Sequence, residues 1–265
     1  MTAEAGGYRA EGSASRNTPQ LSPDCRRYLA GGYRHVHGWP PGLALLEIAR
    51  LSQIQQVLGI RGPICEIGVH LGRTFILLHL LTQRAELAVG IDLHERRPQI
   101  LRNLAAHGGD PARVRMTVED SLQVSPERIL ELCAGRPRLF DLDAGRTADA
   151  VCHDLILARQ TLCAGGLAFV DDYFQEAWPE VSEGVCRFMA QSGGLYPVVV
   201  GGNKLFFTTS RESSRAYRQR LAPMFAGHSR DSAMFGEPVL LIQRLTYRRR
   251  IARTRLWQTL RRHFL

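Results

Sequence analysis

From Ile64 onward, short apolar runs alternate with longer stretches whose apolar residues recur every three or four positions. The first pattern predicts strands and the second amphipathic helices, so the chain reads as a doubly wound α/β sheet. Strands are expected at Ile64–Ile67, Leu87–Ile91, Val114–Val118, Leu139–Leu142, Leu167–Val170, Tyr196–Val200 and Lys204–Thr208. Helices are expected over Arg73–Leu81, Gln99–His107, Pro126–Cys133, Ala148–Leu162 and Val181–Gln191, with a further one over Pro41–Gly59 against the sheet edge. Ser125-Pro126 is a helix-start signal, an N-cap followed by proline at the first helical position. Gly165-Gly166 ends the helix that precedes the fifth strand. Only Gly201-Gly202-Asn203 joins the last two strands, too short for a crossover helix, so they must form a hairpin. The fold expected is a mostly parallel, seven-stranded sheet closed by a C-terminal antiparallel hairpin.

Three segments follow from this pattern. Residues 1–37 begin polar and rich in small residues and are expected to be disordered or extended. Residues 38–243 form the α/β domain. Residues 244–265 read as a basic amphipathic helix: no acidic residue follows Glu237, arginines are frequent, and Leu256, Leu260 and Phe264 recur at helical spacing. Such a helix suits packing on its own domain, a partner or a membrane surface.

Composition narrows the picture. With 265 residues, 45% of them hydrophobic, the chain can bury one substantial core. No apolar run approaches the roughly 18–20 residues that cross a bilayer. The six cysteines show no CxxC spacing and read as small buried hydrophobes of a reducing, cytoplasmic compartment. The net charge of +9 comes almost wholly from arginine, Lys204 being the only lysine, and much of it sits at the chain ends. That distribution is not a binding face, and no nucleic-acid partner is expected.

Candidate chemistry gathers at the strand ends, where parallel α/β sheets bind ligands. Glu66-Ile-Gly68-Val-His70-Leu-Gly72 is a strand running into a glycine turn. A dinucleotide fingerprint needs glycine where His70 stands, so a pyrophosphate would be crowded. S-adenosylmethionine, which carries no phosphate, fits better. Glu66 can take its amino group, the Gly68 turn gives room for the methionine and ribose, and Asp92 can accept both ribose hydroxyls. Asp120 and Ser121 would border the adenine. The alternative is that Gly68 and Gly72 serve only tight strand–helix packing, with Glu66 and Asp92 as solvated strand-end residues.

Asp143 follows the fourth strand, and Asp171–Asp172 follow the fifth. Three carboxylates there can hold Mg²⁺ or Mn²⁺, which would lower the pKa of a substrate hydroxyl and orient it. The alternative is that Asp171–Asp172 cap a helix and Asp143 forms a turn. With EIGVHLGR (Glu66–Arg73), DAGRTADAVCHDL (Asp143–Leu155) and GGLAFVDDYFQEAWPEVSEGV (Gly165–Val185) in view, the chain from about Gly38 to Phe225 resembles the macrocin O-methyltransferase-like group of class I methyltransferases. The resemblance implies Asp143, Asp171 and Asp172 as metal ligands, Asp143 as a catalytic residue, and Tyr173 and Trp178 in the acceptor wall. It implies transfer of a methyl group to a hydroxylated small molecule such as a sugar or glycosylated metabolite, and a homo-oligomer is expected. One position departs from the family pattern. Where D-x-x-H-T is usual, this chain has Asp143-Ala-Gly-Arg146-Thr147, and arginine stays protonated and cannot be a base. Either the metal and a carboxylate suffice, or His70 or His153 substitutes, or the chain is a methyltransferase-like binding protein that has lost turnover. A basic peripheral protein acting through its C-terminal helix is a third reading.

Overall fold

The computed structural model describes residues 19–83 and 85–243; the helix expected over residues 244–265 lies outside them. One nine-stranded sheet organises these residues, in the order β3-β2-β1-β4-β5-β7-β6-β9-β8. β1 (Ile64–Ile67), β2 (Ala88–Asp92), β3 (Val114–Val118), β4 (Leu139–Leu142) and β5 (Leu167–Val170) are mutually parallel. β6 (Tyr196–Gly201) and β7 (Lys204–Thr208) form the expected hairpin, with Gly202 and Asn203 at positive φ, the geometry its two-residue turn requires. β7 runs antiparallel to β5, with Val170 opposite Leu205. This reversal carries Lys204, the first residue of β7, to the sheet end where the parallel strands finish.

Helices α2 (Gly42–Val57), α3 (Arg73–Leu80), α4 (Arg97–Ala106), α5 (Pro126–Cys133), α6 (Ala148–Thr161) and α7 (Pro179–Gln191) match the sequence expectations closely. Because strand side chains alternate between faces, two cores form. Ile64, Phe169 and Phe206 pack with Ile48 and Leu77 on one face, while Cys65, Phe140 and Phe207 pack with Ile129, Leu155 and Phe188 on the other.

Four elements depart from the sequence reading. Within the segment expected to be disordered or extended, Pro23–Ala30 is a helix, α1. Ser22 caps it, Pro23 opens it, and the buried Cys25 and Tyr28 fix it to the core, Tyr28 Oη donating to the Arg73 carbonyl at 2.7 Å. A helix α8 (Arg211–Met224) follows β7, capped by Ser210 and anchored by buried Tyr217 and Leu221. Beyond β6 the sheet continues into a hairpin, β8 (Ser229–Met234) and β9 (Glu237–Ile242), with β9 parallel to β6.

At the entry to β4, Arg138 is completely buried and all five of its N–H donors are used. They reach both Glu86 carboxylate oxygens at 2.9 Å, Gln55 Oε1 at 2.6 Å, Ser52 Oγ at 3.1 Å and the Leu81 carbonyl at 2.9 Å. This ion pair ties α2 and the α3–β2 connection to the amino end of the sheet.

Candidate active site

At the opposite, carboxyl end of the strands lies a cavity of about 550 Å³. Glu66, Asp92, Asp143, Asp171 and Asp172 line it, together with Gly68, His70, Arg146 and Trp178. These are most of the residues singled out from the sequence. Gly72, Asp120, Ser121 and Tyr173 are not part of the lining. Gly72 caps α3 with φ 89°, and Asp120 caps a short 3-10 turn by accepting from Leu122 N at 3.1 Å. Ser121 is buried beside Asp154. Tyr173 points into the core on the α7 side, where burial raises its phenol to about 12.

The glycine turn is built tightly. Gly68 has φ 93°, and a side chain there would collide with the backbone carbonyl of Asp143, so the turn after β1 rests directly on the end of β4. Asp92 holds the turn from the other side: Oδ2 accepts from His70 N at 2.7 Å and Oδ1 from His94 N at 2.9 Å. A carboxylate oxygen accepts more than one hydrogen bond, so clasping the turn leaves Asp92 able to accept from a ligand in the cavity it lines. His70, at φ 51°, joins its ring to those of Trp39 and His37, with centroids 5.1 and 5.5 Å away. Burial and the nearby Arg96 lower its pKa. His37 and Trp39 were not anticipated; a loop preceding the first strand gives no local signal of where it docks.

The carboxylates crowd one another. Glu66 lies opposite Asp141 in the β1–β4 register, and both are buried. Burial raises the pKa of each, and their mutual repulsion adds to it for Glu66. Asp141 is pushed up to about 7 by burial, against the opposing pull of Lys204. Asp143 is raised well above the carboxylate range by burial and by Asp171. Asp172, at φ 58°, is raised by burial and by Asp171, with Arg146 opposing.

All four oxygens of the Asp171–Asp172 pair already face partners. Asp171 Oδ1 accepts from Asp172 N at 2.9 Å, and Oδ2 faces Lys204 Nζ at 3.0 Å. Asp172 Oδ1 accepts from Asn203 Nδ2 at 2.7 Å, and Oδ2 lies 3.5 Å from Arg146 Nη2. Among the described residues, no three Asp, Glu, His or Cys side chains converge in a group that could hold a metal. The expected Mg²⁺ therefore does not fit these side chains as they stand, because cationic and amide donors occupy the directions a metal would need. Lys204 and Asn203 were missed as site residues. A lone lysine at a strand start, in a chain otherwise served by arginine, was the available signal.

Arg146, paired with Asp172, also lies over the Trp178 ring at 4.7 Å, and the two form a half-exposed rim. His153 is remote: on α6 its ring approaches the Val124 carbonyl at 3.3 Å, outside the cavity lining.

Residues 65–173, from β1 to the turn after β5, match a family described as a methyltransferase domain. That stretch contains Glu66, Asp92, Asp143, Asp171 and Asp172 of the cavity lining. Solved structures with the same fold include the O-methyltransferase NovP, 15% identical over 63% of this chain and 79% of that one, with a TM-score of 0.54. CalS11, a TDP-rhamnose 3'-O-methyltransferase, is 17% identical over 73% of this chain and 98% of its own, with a TM-score of 0.50. An O-methyltransferase from Bacillus cereus in complex with SAH is 15% identical over 74% and 94%, also at 0.50. No curated protein matches the chain. Among the described residues, no helix is long and apolar enough to cross a membrane.

Proposed function

We propose that this chain is an O-methyltransferase acting on a hydroxylated small molecule such as a sugar, with Asp143 as the proton acceptor. The reading rests on one observation: the β1, β2, β4 and β5 ends bring Glu66, Asp92, Asp143 and Asp171–Asp172 into one cavity with Arg146 and Trp178. Glu66 and Asp92 would hold the amino group and ribose of S-adenosylmethionine, which supplies an electrophilic methyl group when bound. The acceptor hydroxyl would lie against Asp143, a cavity carboxyl whose pKa burial and Asp171 raise, which strengthens it as a base. Asp143 would take the hydroxyl proton as the methyl group is transferred and pass it on to water, with S-adenosylhomocysteine as the other product. Trp178, 43% exposed with Arg146 over its ring, offers a flat face and a fixed cation for the acceptor. The activity of CalS11 on a sugar supports this acceptor class.

Calorimetry with S-adenosylhomocysteine tests the cofactor half. Binding should fall by about 2–4 kcal/mol in Asp92→Ala, since charge-assisted hydrogen bonds contribute about 1.5–3 kcal/mol each. Unchanged affinity in the folded variant would remove Asp92 from the cofactor site. Arg146 tests the chemical half. An active wild type whose turnover falls in Asp143→Asn supports the carboxylate base, whereas an inert wild type that gains turnover as Arg146→His marks a lapsed enzyme.

A further inference from the structure

Lys204 is the only lysine in the chain; every other Lys/Arg position is arginine. It is completely buried, with Nζ 3.0 Å from Asp171 Oδ2, 3.9 Å from Asp141 Oδ1 and 5.2 Å from the centroid of Phe169. Arginine would present a wide planar fork at this spot, whereas an ammonium is a compact point charge, the shape closest to a metal ion. The reversal of β7 aims this side chain at the row of parallel strand ends, and the adjacent Asn203 takes Asp172 Oδ1 at 2.7 Å. Two consecutive residues of one hairpin thus occupy one oxygen each of the Asp171–Asp172 pair. Burial alone would lower the lysine's pKa, but Asp141, Asp171 and Asp143 outweigh it and keep the group charged.

We infer that the Lys204 ammonium is the resident cation of this carboxylate cluster, standing where a divalent ion would otherwise be held, so that the site takes neither Mg²⁺ nor Mn²⁺. Lys204 is a positioning residue. Fully enclosed, it cannot touch an acceptor, but it fixes Asp171 and offsets the negative charge that Asp141 and Asp143 place beneath the cavity. A divalent ion entering the cluster would have to displace the ammonium or lie beside it, and like charges at such distances repel strongly in a poorly solvated site. Methyl transfer in this domain then depends on carboxylate and ammonium groups of the chain alone.

Mn²⁺ titration of the full chain, followed by electron paramagnetic resonance with neither cofactor nor acceptor present, tests this independently of the proposed reaction. The wild type should leave millimolar Mn²⁺ free. Lys204→Met, which removes the charge and keeps the chain length, should bind one Mn²⁺ at least about tenfold more tightly than the wild type. A single saturable Mn²⁺ site in the wild type, abolished by Asp171→Asn, would overturn the inference. So would a folded Lys204→Met protein that still binds no Mn²⁺. If Lys204→Met does not fold, the wild-type titration and its Asp171→Asn control decide alone: no site supports the inference, and a site lost in the control overturns it.

Discussion

β4 carries an ionic cluster at each end, and the two are finished differently. At its entry, Arg138 and Glu86 are buried together with every guanidinium donor paired. At its exit, Lys204 is buried among Asp141, Asp171 and Glu66, with Glu47 of α2 also feeling its charge. There, both oxygens of Glu47, both of Asp141 and Glu66 Oε2 lack a hydrogen-bond partner. Burial of charge is common to both ends, so burial alone does not mark function. Completion differs: the satisfied cluster fastens helices to the sheet, while the other leaves carboxyl oxygens unpaired close to the cavity.

The largest test of this contrast is Arg138→Met. It leaves Glu86 buried without its cation and should lower stability by about 3–5 kcal/mol in urea denaturation. A loss under about 1 kcal/mol would deny that cluster its fastening role. Glu86→Gln should come next, costing about 2–3 kcal/mol as the charge-assisted bonds to Arg138 weaken. The same substitution at the other end should have the opposite sign. Glu47 is buried without a hydrogen-bond partner, and burial raises its pKa, with Lys204 opposing. A raised native pKa means the folded state holds the proton more tightly than the unfolded chain. Its contribution is full below the ordinary carboxylate pKa and is lost as pH rises towards the native value. Glu47→Gln should therefore add about 1 kcal/mol at neutral pH and flatten the fall in stability above about pH 4.5. If Glu47→Gln instead destabilises as Glu86→Gln does, Glu47 is an ionised partner of Lys204 and the two ends are alike.

The parts of the molecule legible in the sequence are those whose signal is local. β1, β4, β5 and β7 have the expected bounds because each is an apolar run buried on both faces. β3 has them too, as an edge strand whose apolar and polar residues alternate. β8, with the sequence SRDSAM, is too polar to announce itself, and Pro238 within β9 argues against a strand in the absence of a fold. Both are read only once β6 offers an edge to extend. α1 buries just Cys25 and Tyr28, so its apolar stripe is too thin to see. In the site, carboxylates at strand ends were visible because strand ends can be counted. Their partners were not, since Asn203 and Lys204 reach Asp172 and Asp171 from a strand whose reversal is a matter of topology.

The turn between β6 and β7 has a consequence for motion. A side chain on Gly202 would come within 2.6 Å of the Ala44 backbone, and one on Gly201 would run into the Glu47 carboxylate. The turn therefore lies flush on α2, backbone against backbone, leaving no slack for helix and hairpin to slide apart. The exposed part of the cavity lining includes aromatic side chains instead, with Trp39 71% exposed and Trp178 43% exposed. Asp172 and Lys204, held through that turn and the start of β7, are thereby fixed relative to α2, whereas the aromatic residues of the rim are bounded by solvent.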